Sequence, residues 1–367
     1  MEDIGRSKRA SRAYGLDHIA IVPSRRTRGT EEVNLSWKID AIEFDFPLMA
    51  APMDSVMSPE TAIAMGRLGG LGVLNLEGLW TRYDDPTSKL AELAAIDDPT
   101  RSTRKLQELY AAPIQPELIE QRLGELRDAD VPVAGSLSPQ RTQEFAGVVE
   151  KAGVDFFVIR GTTVSAQHVS QAQEPLDLKQ FIYDVEIPVI VGGCATYQGA
   201  LHLMRTGAAG VLVGFGGGTT YTTSQVLGIA VPMATALSDV AEARRDYLDE
   251  SGGRYVHIIA DGSVGSSGDL AKAIACGADA VMVGAPLARA VEAPGGGYHW
   301  GPEAWHADLP RGERTNLGQV GTLEEILLGP SHEPNGSMNL VGALRRAMAT
   351  TGYTEIKEFQ RCEVVLV

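Results

Sequence analysis

Residues 204–223 read MRTGAAGVLVGFGGGTTYTT. A helical pattern ends at a glycine, passes through small residues into the apolar strand VLV, and opens into GFGGGTTYTT (214–223). That loop holds four glycines and five hydroxyl side chains in ten residues. Gly207 suits a helix C-cap in the left-handed region, where a Cβ is costly. The same joint recurs in EKAGVDFFVI (150–159) and IACGADAVMVG (274–284), each running from a helix end through a glycine into a strand.

Working outward from these joints gives eight short apolar runs. They are FPLMA (46–50), LGVLN (71–75), VPVAGSL (131–137), DFFVIR (155–160), IPVIVGG (187–193), GVLVGFG (210–216), HIIADG (257–262) and AVMVGA (280–285). All are continuously apolar and not alternating, as parallel strands buried on both faces must be. Helical patterns such as TYQGALHLMRTG (196–207) and SSGDLAKAIACG (266–277) separate them. Eight strand–helix units predict an α/β fold, a single (β/α)8 TIM barrel over 1–367. A doubly wound open sheet is the alternative, but fewer strands and a fingerprint near the N-terminus would then be expected. The interval 76–130 reads as one or two extra helices between strands two and three. The interval 286–338, rich in Gly, Pro and Trp, reads as a long flap after strand eight or a surface excursion. Residues 339–359 read as an amphipathic helix and a short second one that close the barrel.

Bulk composition narrows the function. The 367 residues are 44% hydrophobic and 22% charged, with a net charge of −15. That balance argues against nucleic acid and against anionic membrane surfaces. A small anion remains allowed, because a site of main-chain N–H groups needs no net positive charge. The three cysteines, Cys194, Cys276 and Cys362, lack metal-ligand spacing and read as free thiols of a reducing compartment. With no signal-peptide core and no run near the ~18 apolar residues of a membrane span, a cytoplasmic protein is expected.

Chemistry in a barrel sits at the carboxyl ends of the strands, and phosphate commonly binds after strands seven and eight. Three glycine turns meet that description: GFGGGTT, ADGSVGSSGD (260–269) and VGAPLA (283–288). Their N–H groups can form an anion cradle. Asp261 can accept hydrogen bonds from two vicinal sugar hydroxyls, or it is a turn aspartate bonded to its own backbone. Strand one closes with AAPMDSVM (50–57), which turns Met53 and Asp54 toward the same opening.

These residues resemble the IMP dehydrogenase/GMP reductase family. The likeness runs in order from LDHIAIVPS (16–24) through APMDSVM, GGLGVLN, VGGCATYQGA and VGFGGGTTYTT to IIADGS, VMVGAPLA, VEAP and NLVGALRRAM. The interval after strand two is too short for a pair of CBS modules, which points to the shorter, related branch without them. The resemblance implies a purine nucleoside 5′-monophosphate (IMP, GMP or XMP) at Met53, Gly216, Gly218, Thr219, Asp261, Gly262, Gly284 and Ala285. It further implies NAD or NADP, a homotetramer or higher assembly, and K+ on the carbonyls of Gly216, Gly218 and Tyr221. In the family the strand-six loop carries a cysteine that attacks purine C2, so that hydride passes to or from nicotinamide. Here Tyr221 stands at that position, while Thr223 and Glu292 match the proton-transfer pair. The dinucleotide half also departs, with Arg160 and Gly161 at the strand-four end, where an aspartate is expected. Gly193 stands for an asparagine, and Ala285 for a phosphate-contacting serine. Arg311 and Arg314 are basic flap residues outside the family's arginine–tyrosine pattern. Two readings follow: an NAD(P)-linked oxidoreductase of low or absent activity, or a non-catalytic purine-nucleotide-binding protein that senses or assembles.

Overall fold

A computed structural model describes residues 2–169, 175–215, 220, 223–306, 312 and 314–367. Eight parallel strands close into a barrel: β1 (Leu48–Ala50), β2 (Leu71–Asn75), β3 (Ala134–Leu137), β4 (Phe156–Arg160), β5 (Val189–Cys194), β6 (Gly210–Val213), β7 (His257–Asp261) and β8 (Ala280–Val283). Neighbours follow chain order, and β8 returns to β1 with Val281, Met282 and Val283 opposite Leu48, Met49 and Ala50. This is the (β/α)8 TIM barrel expected from the apolar runs. The strands are buried on both faces, which explains why their sequences do not alternate.

Three strands start later than their apolar runs, for a chemical reason. FPLMA, VPVAGSL and IPVIVGG each contain a proline, and in each the ladder begins one or two residues beyond it. Proline lacks the N–H that a central strand must donate. Proline instead opens α1 (Pro59–Arg67), α2 (Pro86–Ala94), α3 (Pro99–Tyr110), α4 (Pro116–Asp128) and α5 (Pro139–Ala152), where its missing N–H costs nothing. The joints behave as their glycines require, with φ of 74° at Gly153, 98° at Gly207 and 115° at Gly277. The other barrel helices are α6 (Leu178–Asp184), α7 (Tyr197–Met204), α8 (Met233–Glu250), α9 (Ser267–Ala275) and α10 (Leu340–Thr351).

Two excursions leave this plan. Helix α4 packs on α1 and α5 as a barrel helix, so α2 and α3 are the additional pair. They form a second apolar cluster with the segment after β8, through Leu90, Leu93, Leu106, Leu109 and Tyr110 against Trp300 and Ala304. A hairpin of Trp37–Ile39 and Ile42–Phe44 sits at the opposite end of the barrel, where Trp37 Nε1 donates to His257 Nδ1 at 3.2 Å. Among the described residues no helix is long and apolar enough to cross a membrane.

At that N-terminal end Asp279 is fully buried just before β8. Its carboxylate accepts from Arg244 Nη1 at 2.6 Å, Ile258 N at 2.8 Å, Tyr255 Oη at 2.7 Å and Gln360 Nε2 at 2.9 Å, and it pairs with Lys357 at 2.5 Å. Burial alone would push this carboxyl up, but Arg244 and Lys357 hold it well below the usual range. One group thereby ties α8, β7, β8 and the C-terminal segment together. Breaking such a buried cluster from one side typically costs 3–5 kcal/mol. Asp279→Ala should lower urea-unfolding stability by about that amount. Because the folded pKa lies below the unfolded one, the Asp279 contribution is present above about pH 4 and lost as acid titrates the folded carboxyl. The wild-type–variant difference should therefore narrow below that pH.

Candidate functional site

The carboxyl ends of the strands form one mouth holding two adjoining cavities. The smaller, about 390 Å³, is lined by Met53 after β1, by Asp261, Gly262, Ser263 and Val264 after β7, and by Gly284 and Ala285 after β8. Thr220 and His299 complete it. The larger, about 950 Å³, lies toward β2, β3 and β4 and is lined by Glu77, Tyr110, Gly161, Thr162, Thr223 and Trp305, among others. Arg160 and Asp261 line both cavities.

Those two residues form the wall. Arg160 ends β4 and Asp261 ends β7, and each side chain is only 12% exposed. Arg160 Nε donates to Asp261 Oδ2 at 2.8 Å and Nη2 to Oδ1 at 3.3 Å. This two-point contact fixes the guanidinium plane. The backbones also close tightly here. Gly214 has φ 149°, and a Cβ there would stand 2.1 Å from the Asp261 carbonyl oxygen, so only glycine fits.

The turn after β7 is a weaker anion cradle than its glycines suggest. Asp269 already accepts from Gly265 N at 3.2 Å and Ser266 N at 3.1 Å, and Ser267 N donates to Gly336 O at 2.8 Å. The N-terminus of α9 is thus satisfied internally. Among the described residues the N–H groups of Ser263, Val264 and Ala285 have no such partner. Ser263 adopts φ 56°, a left-handed conformation that costs a non-glycine residue energy and is held at the cavity wall.

The flap and the loop after β6 supply groups that sequence reading missed. His299 is buried, with Nδ1 2.9 Å from Ser55 Oγ. Burial pushes its imidazole down to about 4, so it is neutral near pH 7. Thr220 is buried with its Oγ1 unpartnered among the described residues. Glu303 lines the larger cavity, 3.4 Å from Thr162 Oγ1. For His299 and Glu303 the sequence signal was the aromatic and histidine-rich YHWGPEAWH inside the flap, whereas Thr220 belongs to the glycine loop 214–223.

Other expected site residues are placed as follows. Glu292 is exposed, lines neither cavity, and accepts from Leu323 N at 2.9 Å, while Thr223 is buried in the wall of the larger cavity; the structure does not bring the two into one cavity. Gly193 lines neither cavity; its Cβ position lies 2.6 Å from Gly214 O, a packing role. Arg314 is buried over the Tyr298 ring, with Nη1 donating to Leu93 O at 2.7 Å. Gly216, Gly218, Thr219, Tyr221 and Arg311 lie outside the described residues, and with them the carbonyls named for K+. Among the described residues no group of three or more His, Cys, Asp or Glu side chains could hold a metal ion.

Residues 13–303 match the model of the IMP dehydrogenase / GMP reductase domain. The chain belongs to the IMP dehydrogenase/GMP reductase family. The matched domain covers no CBS module. Family relatives include an uncharacterized oxidoreductase of Mycobacterium tuberculosis (53% identical, covering 98% of each chain) and one of Mycolicibacterium smegmatis (51%, again 98% of each). The crystal structure of an IMP dehydrogenase/GMP reductase-like protein from Corynebacterium glutamicum superposes with a TM-score of 0.95 at 50% identity, over 100% of this chain and 97% of that one.

The three thiols of this family member are held protonated by burial. Cys194 ends β5 with its sulfur 3.5 Å from Leu212 O, and burial pushes it up to about 12. Burial likewise raises Cys276 and Cys362 to about 11. A thiol held protonated in this way is a poor nucleophile.

Behind the larger cavity, Asp54 is buried under Tyr110 of α3. Tyr110 Oη donates to Asp54 Oδ2, Leu79 N donates to the same oxygen at 3.0 Å, and Trp300 Nε1 donates to Tyr110 Oη at 3.0 Å. Trp305 stacks on Tyr110 at 4.5 Å. The additional helices and the flap are thus joined to strand one through one carboxyl. Burial pushes Asp54 up to about 6 from the ordinary 3.8. The folded state therefore holds its proton more tightly than the unfolded state. This contribution is full below about pH 4 and lost as pH rises through about 6. Asp54→Asn removes it, so the variant should gain stability relative to wild type across that window, by at most about 3 kcal/mol, in thermal melts at pH 4 and pH 7.5.

Proposed function

We propose that this chain binds a purine nucleoside 5′-monophosphate (IMP, GMP or XMP) in the smaller cavity and turns it over slowly or not at all. The observation that carries the reading is the convergence of Met53, Asp261–Gly262 and Gly284–Ala285, from three separate strand ends, on one enclosure. Its volume of about 390 Å³ is in the range of small-molecule sites. Main-chain N–H groups of Ser263, Val264 and Ala285 suit a phosphate. Asp261 keeps lone pairs for a ribose diol beside its two bonds to Arg160, since a carboxylate offers about four acceptor positions.

The oxidoreductive half is argued differently. Tyr221 takes the position of the cysteine, and a phenol of pKa near 10 is a weak nucleophile at neutral pH. Losing a covalent nucleophile costs about 10⁴ to 10⁶ in rate in comparable cases. A nicotinamide dinucleotide has room in the larger cavity, but the donor set there does not fit its riboside in the family's manner. The strand-four end offers Arg160, a donor-only group bonded to Asp261, in place of a carboxylate acceptor.

Calorimetric titration of the full chain with IMP, GMP and XMP should give saturable heat with at least one of them below millimolar concentration. Silence with all three at millimolar concentration would reject the binding site. Assays with IMP plus NAD, and with GMP plus NADPH, should stay far below the ordinary enzymatic rate of about 1 s⁻¹; turnover at that rate would reject the loss of catalysis. A Tyr221→Cys variant that gains activity would assign the deficit to the missing sulfur.

A further inference from the structure

The mouth contains a buried imidazole. His299 lies on the flap strand Tyr298–His299 and is swung into the smaller cavity beside the β8 turn. A Cβ built on Gly284 would stand 3.6 Å from both Nε2 and Cε1 of His299, so this edge of the ring faces the Gly284–Ala285 corner. The opposite edge is occupied, because Nδ1 meets Ser55 Oγ at 2.9 Å. Ser55 Oγ also accepts from Trp300 N at 3.3 Å and reaches Trp300 O at 3.3 Å. The contact to Nδ1 is the shorter, and a hydroxyl proton directed to it leaves the ring hydrogen on Nε2.

From this geometry we infer that His299 Nε2–H is a ligand-binding donor, set by Ser55, that grips a phosphate oxygen at the Gly284–Ala285 corner. The inference rests on the mononucleotide reading of the smaller cavity and names the residue that selects phosphorylated over unphosphorylated ligands. Three observations support it. Ala285 brings no hydroxyl to that corner, so a neighbouring side chain must supply any donor beyond the backbone. Thr220 Oγ1, buried in the same cavity, also lacks a partner among the described residues, and buried polar atoms left open in this way await a ligand or water. Among the described residues the charged side chains on the cavity wall are Arg160 and Asp261, which are bonded to each other, so a neutral donor is the side chain left for the phosphate end.

The test compares wild type, His299→Leu and His299→Gln by calorimetry with IMP and with inosine, and checks each variant's fold by its thermal melt. His299→Leu should weaken IMP about 10- to 100-fold, the loss expected of one hydrogen bond to a charged group, and leave inosine unchanged. His299→Gln, which keeps an N–H near the same place, should recover part of the loss. Equal IMP affinity in wild type and His299→Leu would overturn the inference while leaving the mononucleotide reading standing. Equal weakening of IMP and inosine would overturn it too, by assigning His299 to the base or the cavity shape. Failure of wild type to bind either compound would reject the mononucleotide reading itself, and the inference with it. Should His299→Leu not fold, imidazole-nitrogen NMR of wild type decides the matter: IMP should shift the His299 Nε2 signal and inosine should not, and equal response to both rejects the inference.

Discussion

Closure of the sheet, where Val281–Val283 pair with Leu48–Ala50, is the constraint on which the rest of this molecule depends. A closed sheet has no edge, and its strands must be short, apolar and shielded on both sides. Closure also brings every strand end to a single ring. Met53, Arg160, Asp261 and Gly284 are far apart in the chain, and they meet only because β1, β4, β7 and β8 share that ring. Asp279 guards the opposite end, with its carboxylate holding α8 and the C-terminal segment against β7 and β8.

At the mouth, one ion pair sets the division of space. Arg160 bonded to Asp261 separates a cavity of about 390 Å³ from a larger one of about 950 Å³ beside it. Arg160 at the end of β4 therefore acts on both sides of the wall: it lines the larger cavity and orients the carboxylate that faces the smaller. The flap contributes as much as the barrel. His299 enters the smaller cavity, while Trp300 and Trp305 secure Tyr110 over Asp54, so one segment serves both cavities.

The barrel was legible because its signals are local and repeated. Continuous apolar runs and the helix–glycine–strand joints at Gly153, Gly207 and Gly277 each encode backbone conformation within a few residues. At three prolines the apolar run begins before the strand does, because the ladder needs a donor that proline lacks. The site was legible in part. Asp261, Gly262, Gly284 and Ala285 belong to glycine turns at strand ends, Met53 to the turn after β1, and all five do line one cavity. Glu292 matches the family pattern through its neighbours in sequence, yet it is exposed and its carboxylate accepts from Leu323 N.

The sequence by itself determined the family, the eight strand–helix units and the absence of a cysteine at position 221, since each is written in contiguous residues. The tertiary structure alone decided that Arg160 bonds Asp261 and that His299 faces the β8 turn. Those contacts join residues tens to hundreds of positions apart, or depend on side-chain direction in loops with no period. No local pattern carries such information, because the free energy that selects these pairings exists only once the barrel has closed.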